Sequence, residues 1–242
     1  MTLESKNTSS TKKKKSNNFD IYLASSSPRR FEILKNLKVN FELLKCDFNE
    51  DNFSEEDPQN FVLKNTQQKC LTAQAFRQKS NLTNKPVLTA DTIVSMDGKI
   101  FGKPADKDHA ISMLLELSGR KHSVMTCICL GEMDSEKNSN VKMAFDVITT
   151  EVTFSNLTAN ECAKYWATGE PKDKAGAYGI QGYGALFVDS IKGSHSNVIG
   201  LPIQETCKIL KQKNISYWLN LWILNSDKMY WWDLSNSLLV LF

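Results

Sequence analysis

The apolar positions come in short buried runs and longer helical stripes, in an alternating order. Residues 21–25, IYLAS, are apolar at four successive positions before a serine cluster, as a buried strand entering a turn should be. Ser27 and Pro28 then supply the N-cap and first-turn proline of a helix, which continues through RRFEILKNL with Phe31, Leu34 and Leu37 on one face. VNFELLKC reads as a second strand, followed by the acidic loop DFNEDNFSEEDP. From about Pro58 to Lys79 the spacing predicts a long helix whose inner stripe is Val62, Thr66, Lys69, Ala73 and Phe76, with Lys69 its one charged member.

PVLTADTIVSM is apolar except at its centre, and Asp97-Gly98 makes a two-residue hairpin turn into KIFGKP. This places Asp91 inside, or at the end of, a core strand. Asp106 caps the helix KDHAISMLLELSG, which Gly119 stops, and the strands HSVMTCICLG and VKMAFDVITTEVTF follow around the polar loop EMDSEKNSN. Thr158 and Glu161 form a capping box for ANECAKYWATG. Seven of the eleven glycines lie between Gly169 and Gly200, marking either a loop-rich functional region or a set of hairpins. Pro202 opens a last helix with Ile203, Cys207 and Leu210 aligned.

At 242 residues the chain suits one large domain or two small ones, with one α/β domain the first expectation, and 41% hydrophobic content is enough to fill a core. Three segments follow: a basic tail, 1–18, expected to be disordered; the folded domain, 19–213; and an aromatic, apolar extension, 214–242, of unknown order. The extension is no membrane span, because Asp227, Lys228 and Asp233 interrupt it before about 18 apolar residues accumulate. It could dock on the body, lie at a membrane interface, or be a non-native end from a misread gene.

The net charge of +3 comes largely from Lys12 to Lys15, so the body is near neutral and offers no broad nucleic-acid-binding face. That lysine run is a solvated tail, a nuclear-import patch or an RNA contact. With no apolar segment after the start and six cysteines scattered without a C-x-x-C pair, a reduced, cytoplasmic chain without a zinc site is expected.

Several charges sit where folding alone would not put them. Arg29 and Arg30 stand at a helix N-terminus, where the dipole favours anions; Lys69 lies on an apolar stripe; Asp91 interrupts a core strand; Lys103 and Lys174 occupy Gly- and Pro-containing turns. Each has a bland reading, since an arginine in a first turn can be solvated, a lysine can snorkel and a strand aspartate can close a turn. Together they supply cations for a polyphosphate and a carboxylate for a hard metal ion or a water, with Glu50 in the acidic loop as a second oxygen donor. That inventory suits phosphoanhydride cleavage, while the absence of G-x-x-x-x-G-K-[ST] excludes the P-loop.

At LASSSPRR, QQKC, TADTIV, GKP, LSGRKHSVMT, DKAGAYGIQGYGALFV and GSHSNVIGLP, in that order over about residues 20 to 212, the sequence resembles the Maf family of nucleoside triphosphate pyrophosphatases. The resemblance implies a mixed, elongated central sheet flanked by helices, two lobes with a cleft, a divalent cation (Mg²⁺ or Mn²⁺) as cofactor, a homodimer, and hydrolysis of a nucleotide to its monophosphate and pyrophosphate. It implies Asp91 as the catalytic residue, Ser27, Arg30, Lys69, Lys103 and Lys174 as phosphate contacts, and Glu50 with Asp91 as metal ligands. Arg29, Thr92 and Gln181 match the positions that track substrate choice, in the pattern of the dTTP/UTP branch, and a glutamine amide can pair with the O4/N3–H edge of a pyrimidine. Cys70 departs from the alanine usual in the family, and Ser26 from a frequent Gly or Asn. The competing readings are a non-enzymatic nucleotide-binding regulator of cell division and an RNA-binding protein using the lysine tail; neither needs a water-activating aspartate.

Overall fold

The structure is a computed structural model that describes residues 19–48, 57–134 and 140–219. The lysine tail, Glu50 and the aromatic extension from residue 220 onward therefore lie outside the described residues. In chain order the elements are β1 (Ile21–Leu23), α1 (Pro28–Asn36), β2 (Phe41–Leu43), α2 (Pro58–Lys79), β3 (Val87–Met96), β4 (Lys99–Phe101), α3 (Lys107–Leu117), β5 (Lys121–Met133), β6 (Val141–Phe154), α4 (Ala159–Ala167), β7 (Val188–Lys192), α5 (His195–Ile199) and α6 (Ile203–Gln212). Between α4 and β7 the glycine-rich segment forms three short 3-10 turns, so the loop alternative holds there rather than hairpins.

The sheet is mixed, with strand order β2-β1-β3-β5-β6-β7 and β4 paired to β3. β1 is parallel to β2 and β3, and the remaining pairs are antiparallel. β5 occupies one edge of β3 from Val87 to Ser95. The opposite edge is shared by two short strands: β1 at Val87 and Leu88, and β4 from Val94 to Met96. Between them, from Thr89 to Ile93, no strand among the described residues lies beside that edge, and the sheet opens.

The side chains of β3 divide the core at the same place. Leu88 and Ala90 join the cluster built by α1 and α6, whereas Val94 and Met96, on the same face, join a second cluster built by α3, α4 and the 3-10 turns. The other face packs on α2: Val87 with Ala73, Ile93 with Phe61 and Val62, and Thr89 through its hydroxyl, which donates to the Thr66 carbonyl at 3.3 Å. Two lobes thus share one continuous strand, and Asp91 and Thr92 lie where one lobe gives way to the other.

Several local expectations match. Asp97 and Gly98 both have positive φ, 52° and 80°, as their hairpin turn requires; Asp106 caps α3 by accepting from the His109 N–H at 2.8 Å; and Thr158 and Glu161 cap α4 reciprocally. Others need correction. Phe76 is 39% exposed and leaves the α2 stripe, while Gln74 and Arg77 are buried. The Gln74 amide donates to the Gly131 carbonyl at 2.7 Å and accepts from Arg77 Nε at 2.8 Å, so a mutually satisfied polar pair replaces the aromatic. On α6, Ile203 is exposed and Thr206 is buried with Ile209 and Leu210, its hydroxyl donating to the Pro202 carbonyl at 2.6 Å. β2 is only three residues long, because it is an edge strand that pairs solely with the three residues of β1.

Cys70, fully buried on α2, fits against Gly131 of β5, where a Cβ would collide with its Sγ and lie 3.0 Å from Val141 Cγ1. Gly131→Ala should cost about 1–3 kcal/mol in urea unfolding, the range for overpacking a core. Adding Cys70→Ala to the same chain should recover more than half of that loss; no recovery would place the constraint elsewhere.

Candidate active site

The gap in the sheet forms the floor of a cleft of ≈ 260 Å³, and every predicted site residue among the described ones lines it. Ser27, Arg29 and Arg30 come from the start of α1, Lys69 from α2, Asp91 and Thr92 from β3, Lys103 from the turn after β4, and Lys174 and Gln181 from the glycine-rich turns. Among the described residues five cations there face two carboxylates, Asp91 and Asp173.

Ser27 holds the N-cap position without a side-chain capping bond, and Pro28 sets the first turn. Arg30, two residues on, turns inward and is partly buried. Its Nε donates to the Gly200 carbonyl at 2.7 Å, Nη2 to Thr92 Oγ1 at 2.9 Å and Nη1 to Ser25 Oγ at 3.3 Å. Burial lowers its pKa to about 10 and Arg29 adds to that shift, against Asp91, which opposes it. The guanidinium therefore stays charged at neutral pH. Three of its five N–H groups are used by described residues, leaving one on each Nη for an incoming oxygen.

Asp91 and Thr92 are successive residues of a strand and point to opposite faces of the sheet. Asp91 meets Lys69, whose Nζ lies 2.9 Å from Oδ1; both side chains are less than a fifth exposed. No other described group bonds Asp91, so Oδ2 is open to a water or a hard cation. This explains the charged member of the α2 stripe: Lys69 faces the sheet because its partner stands on β3.

The glycine-rich wall is tied down by groups the sequence reading missed. Glu170 accepts from the Tyr165 hydroxyl at 2.7 Å, the Tyr183 N–H at 2.9 Å and the Gly184 N–H at 3.1 Å, while Tyr165 Oη accepts from the Gly179 N–H at 3.1 Å. Partial burial resists ionisation of Glu170, but these hydrogen bonds outweigh it and hold the carboxyl below its ordinary pKa. Lys174 Nζ donates to the Glu170 carbonyl at 2.8 Å and to Asp173 Oδ1 at 2.7 Å, and Arg29 lies 3.6 Å from Asp173. The Lys174 stem crosses Gly179 so closely that a Cβ there would sit 2.7 Å from its Cε. Gln181, on the segment these bonds anchor, is exposed at the rim. The missed residues had a faint signal, because EPKDK carries two acids beside the lysine already singled out.

Tyr178 forms another part of the wall and is braced from behind by His122, whose Nε2 lies 2.8 Å from the phenol oxygen. A mixed α/β protein whose sheet splits around a cationic cleft, with one strand-borne carboxylate at its centre, is a protein built to receive a polyanion. Its family is explicit: residues 20–213 match the family described as Maf-like protein, and the chain belongs to it. It is 43% identical over 195 residues to the nucleoside triphosphate pyrophosphatase of Haemophilus ducreyi, covering 81% of this chain and 95% of that relative. To the dTTP/UTP pyrophosphatase of Saccharophagus degradans it is 39% identical over 214 residues, covering 88% and 98%. To that of Hydrogenovibrio crunogenus it is 42% identical over 194 residues, covering 80% and 96%.

Among the described residues no three His, Cys, Asp or Glu side chains converge on one point, and no helix is long and apolar enough to cross a membrane. Among the described residues Asp91 is the carboxylate that the sheet gap presents to the cleft, with Asp173 on its glycine-rich wall. A magnesium-type ion held by one or two carboxylates and the phosphates of a substrate fits such a donor set.

Burial lowers the pKa of His122 to about 4. Its neutral form therefore stabilises the fold fully above the unfolded value near 6.5, and that contribution is lost as pH falls from about 6.5 towards 4. Comparing the pH dependence of unfolding with that of His122→Gln should isolate a slope of up to one proton in that window, worth at most about 3 kcal/mol. Identical slopes would mean the imidazole is not held neutral.

Proposed function

We propose that this protein hydrolyses dTTP and UTP, and related pyrimidine nucleotides, to the nucleoside monophosphate and pyrophosphate. The observation that carries the reading is the Lys69–Asp91 pair, which places one open carboxylate oxygen at the centre of the cationic cleft. The names of the relatives support the reaction and the substrate class.

In this mechanism Arg30, Lys69, Lys103 and Lys174 hold the triphosphate, with Ser27 and the first-turn N–H groups of α1 as further donors. Asp91 orients a water through Oδ2 and takes its proton as the water oxygen bonds to the α-phosphorus. The bond from that phosphorus to the bridging oxygen breaks, and the cations stabilise the charge gathering on the departing pyrophosphate. Lys69 holds Asp91 in place through its bond to Oδ1. A divalent cation would be held by Asp91, with Glu50 as the second ligand expected from the sequence, and would supply charge neutralisation on the phosphate oxygens. Arg29 and Gln181 read the nucleoside, and Thr92 stands beside Arg30, accepting from its Nη2. A homodimer, on the strength of the family resemblance, and a cytoplasmic setting, on the scattered and unbridged cysteines, belong to the same proposal.

A panel of nucleoside triphosphates assayed with Mn²⁺ should give pyrophosphate and monophosphate, fastest from dTTP and UTP. Orthophosphate without pyrophosphate would overturn the reaction. Asp91→Asn should lower kcat by about 10²-fold or more, the scale of a lost general base, with nucleotide affinity largely kept. Gln181→Ala should shrink the ratio of pyrimidine to purine turnover by about tenfold, because it removes one base-directed hydrogen-bonding group; an unchanged ratio would remove Gln181 from selectivity.

A further inference from the structure

The even-numbered face of β5 is apolar at Val124, Ile128 and Leu130, all buried in the two cores. Thr126 interrupts it, fully buried, where a valine of nearly the same shape would serve packing better. Its hydroxyl donates to the Asn197 carbonyl at 3.0 Å and lies 2.9 Å from Thr92 Oγ1, which in turn receives Arg30 Nη2 at 2.9 Å. The direction of this chain is fixed from both ends. A carbonyl only accepts, so the single hydrogen of Thr126 is spent on Asn197; Thr92 must then donate to Thr126, and the guanidinium, which only donates, feeds one of the two lone pairs of Thr92. Thr92 consequently has no hydrogen to offer a nucleotide base.

The far end of the chain is rigid. Asn197 is fully buried, its amide donates to the Val124 carbonyl and to Thr150 Oγ1, each at 3.0 Å, and Ser194 caps its N–H at 3.2 Å. Gly200, whose carbonyl takes Arg30 Nε, closes the same short helix α5. Two of the three bonds on Arg30 therefore lead back to α5, one directly and one through two hydroxyls.

We infer that Thr126 is a positioning residue: through Thr92 it fixes the orientation of Arg30, so that Thr92 acts on the phosphate end of the substrate rather than by donating to its base. The consequence for turnover rests on the proposed pyrophosphatase reaction, whereas the consequence for Arg30 does not.

Thr126→Val tests this in the full chain. The Asn197 carbonyl still accepts from the Gly200 N–H at 2.9 Å and Thr92 keeps its bond to Arg30; the Thr92 hydroxyl hydrogen loses its acceptor, but Thr92 is only half-buried. The melting temperature should stay within about 2 °C. In the nucleotide-free protein the Arg30 Nε–H resonance, assigned by its loss in Arg30→Lys, should exchange with water at least about fivefold faster, since the Thr92 hydroxyl is free to rotate. kcat for dTTP and UTP should fall about tenfold with KM changed less and their ratio unchanged, as expected of a group acting on developing charge. Thr126→Ser should restore both readouts. Unchanged exchange and turnover in the valine variant, a changed ratio of dTTP to UTP, or failure of serine to rescue would overturn the inference. Faster exchange in a protein that hydrolyses no nucleotide would support the positioning role and reject the proposed reaction.

Discussion

The site depends on a strand edge that two neighbours share without meeting. β1 and β4 both pair with the edge of β3 away from β5, one at each end, and among the described residues no strand lies beside the stretch between them on that side. A chain segment with unpaired backbone beside a gap is a poor place for apolar packing and a good place for a ligand, as at the crevices of other open α/β sheets. The turn after β1 brings the start of α1 over this gap, and the chain after β4 brings Lys103 to its other side. Because Asp91 and Thr92 lie in the unpaired stretch and point to opposite faces, one strand serves two groups of partners at once.

Those partners show what the site takes from the fold. Buried hydroxyls at Thr126 and Thr206 and a buried glutamine–arginine pair are each satisfied by named acceptors, so the cost of placing polar atoms inside is offset locally. The charges in the cleft are balanced differently. Asp91 compensates Lys69, and Asp173 lies between Lys174 and Arg29, yet among the described lining residues the cations remain in excess. A surplus of positive charge in a partly closed cleft destabilises the empty protein and is relieved by a bound polyanion, which is the electrostatic sense of the arrangement.

Much of this was legible in the sequence, for reasons that can be given residue by residue. The caps at Asp106 and Thr158, the Asp97-Gly98 turn and the strand around Asp91 are local, and local chemistry fixed them. Lys69 was recognisable as anomalous because helical spacing alone put a charge on an apolar stripe. What the sequence could not convey was pairing over distance. Phe76 and Gln74 lie two positions apart on α2, and which of them is buried depends on a carbonyl at Gly131. The bracing of the glycine-rich wall by Glu170 and Tyr165 likewise joins residues whose roles appear only once the turns are folded. Glu50 falls outside the described residues, so its place beside Asp91 is a matter of the family resemblance alone.

The adjacent arginines at the start of α1 show how long-range partners can reverse what local chemistry favours. A helix N-terminus repels cations, and on that ground alone SPRR is a poor beginning. In the structure the two guanidinium groups are answered from other parts of the chain: Arg29 by Asp173 of the 3-10 turns, and Arg30 by the carbonyl of Gly200 at the C-terminal end of another helix. The positive end of α1 therefore faces an acceptor at the negative end of α5. Arg30 is held in that arrangement with N–H groups to spare, so the N-terminus of α1 and the cation beside it can act on the same anion. The unfavourable placement is the consequence of bringing two donors of like charge to one point, and the rest of the cleft is arranged to hold them there.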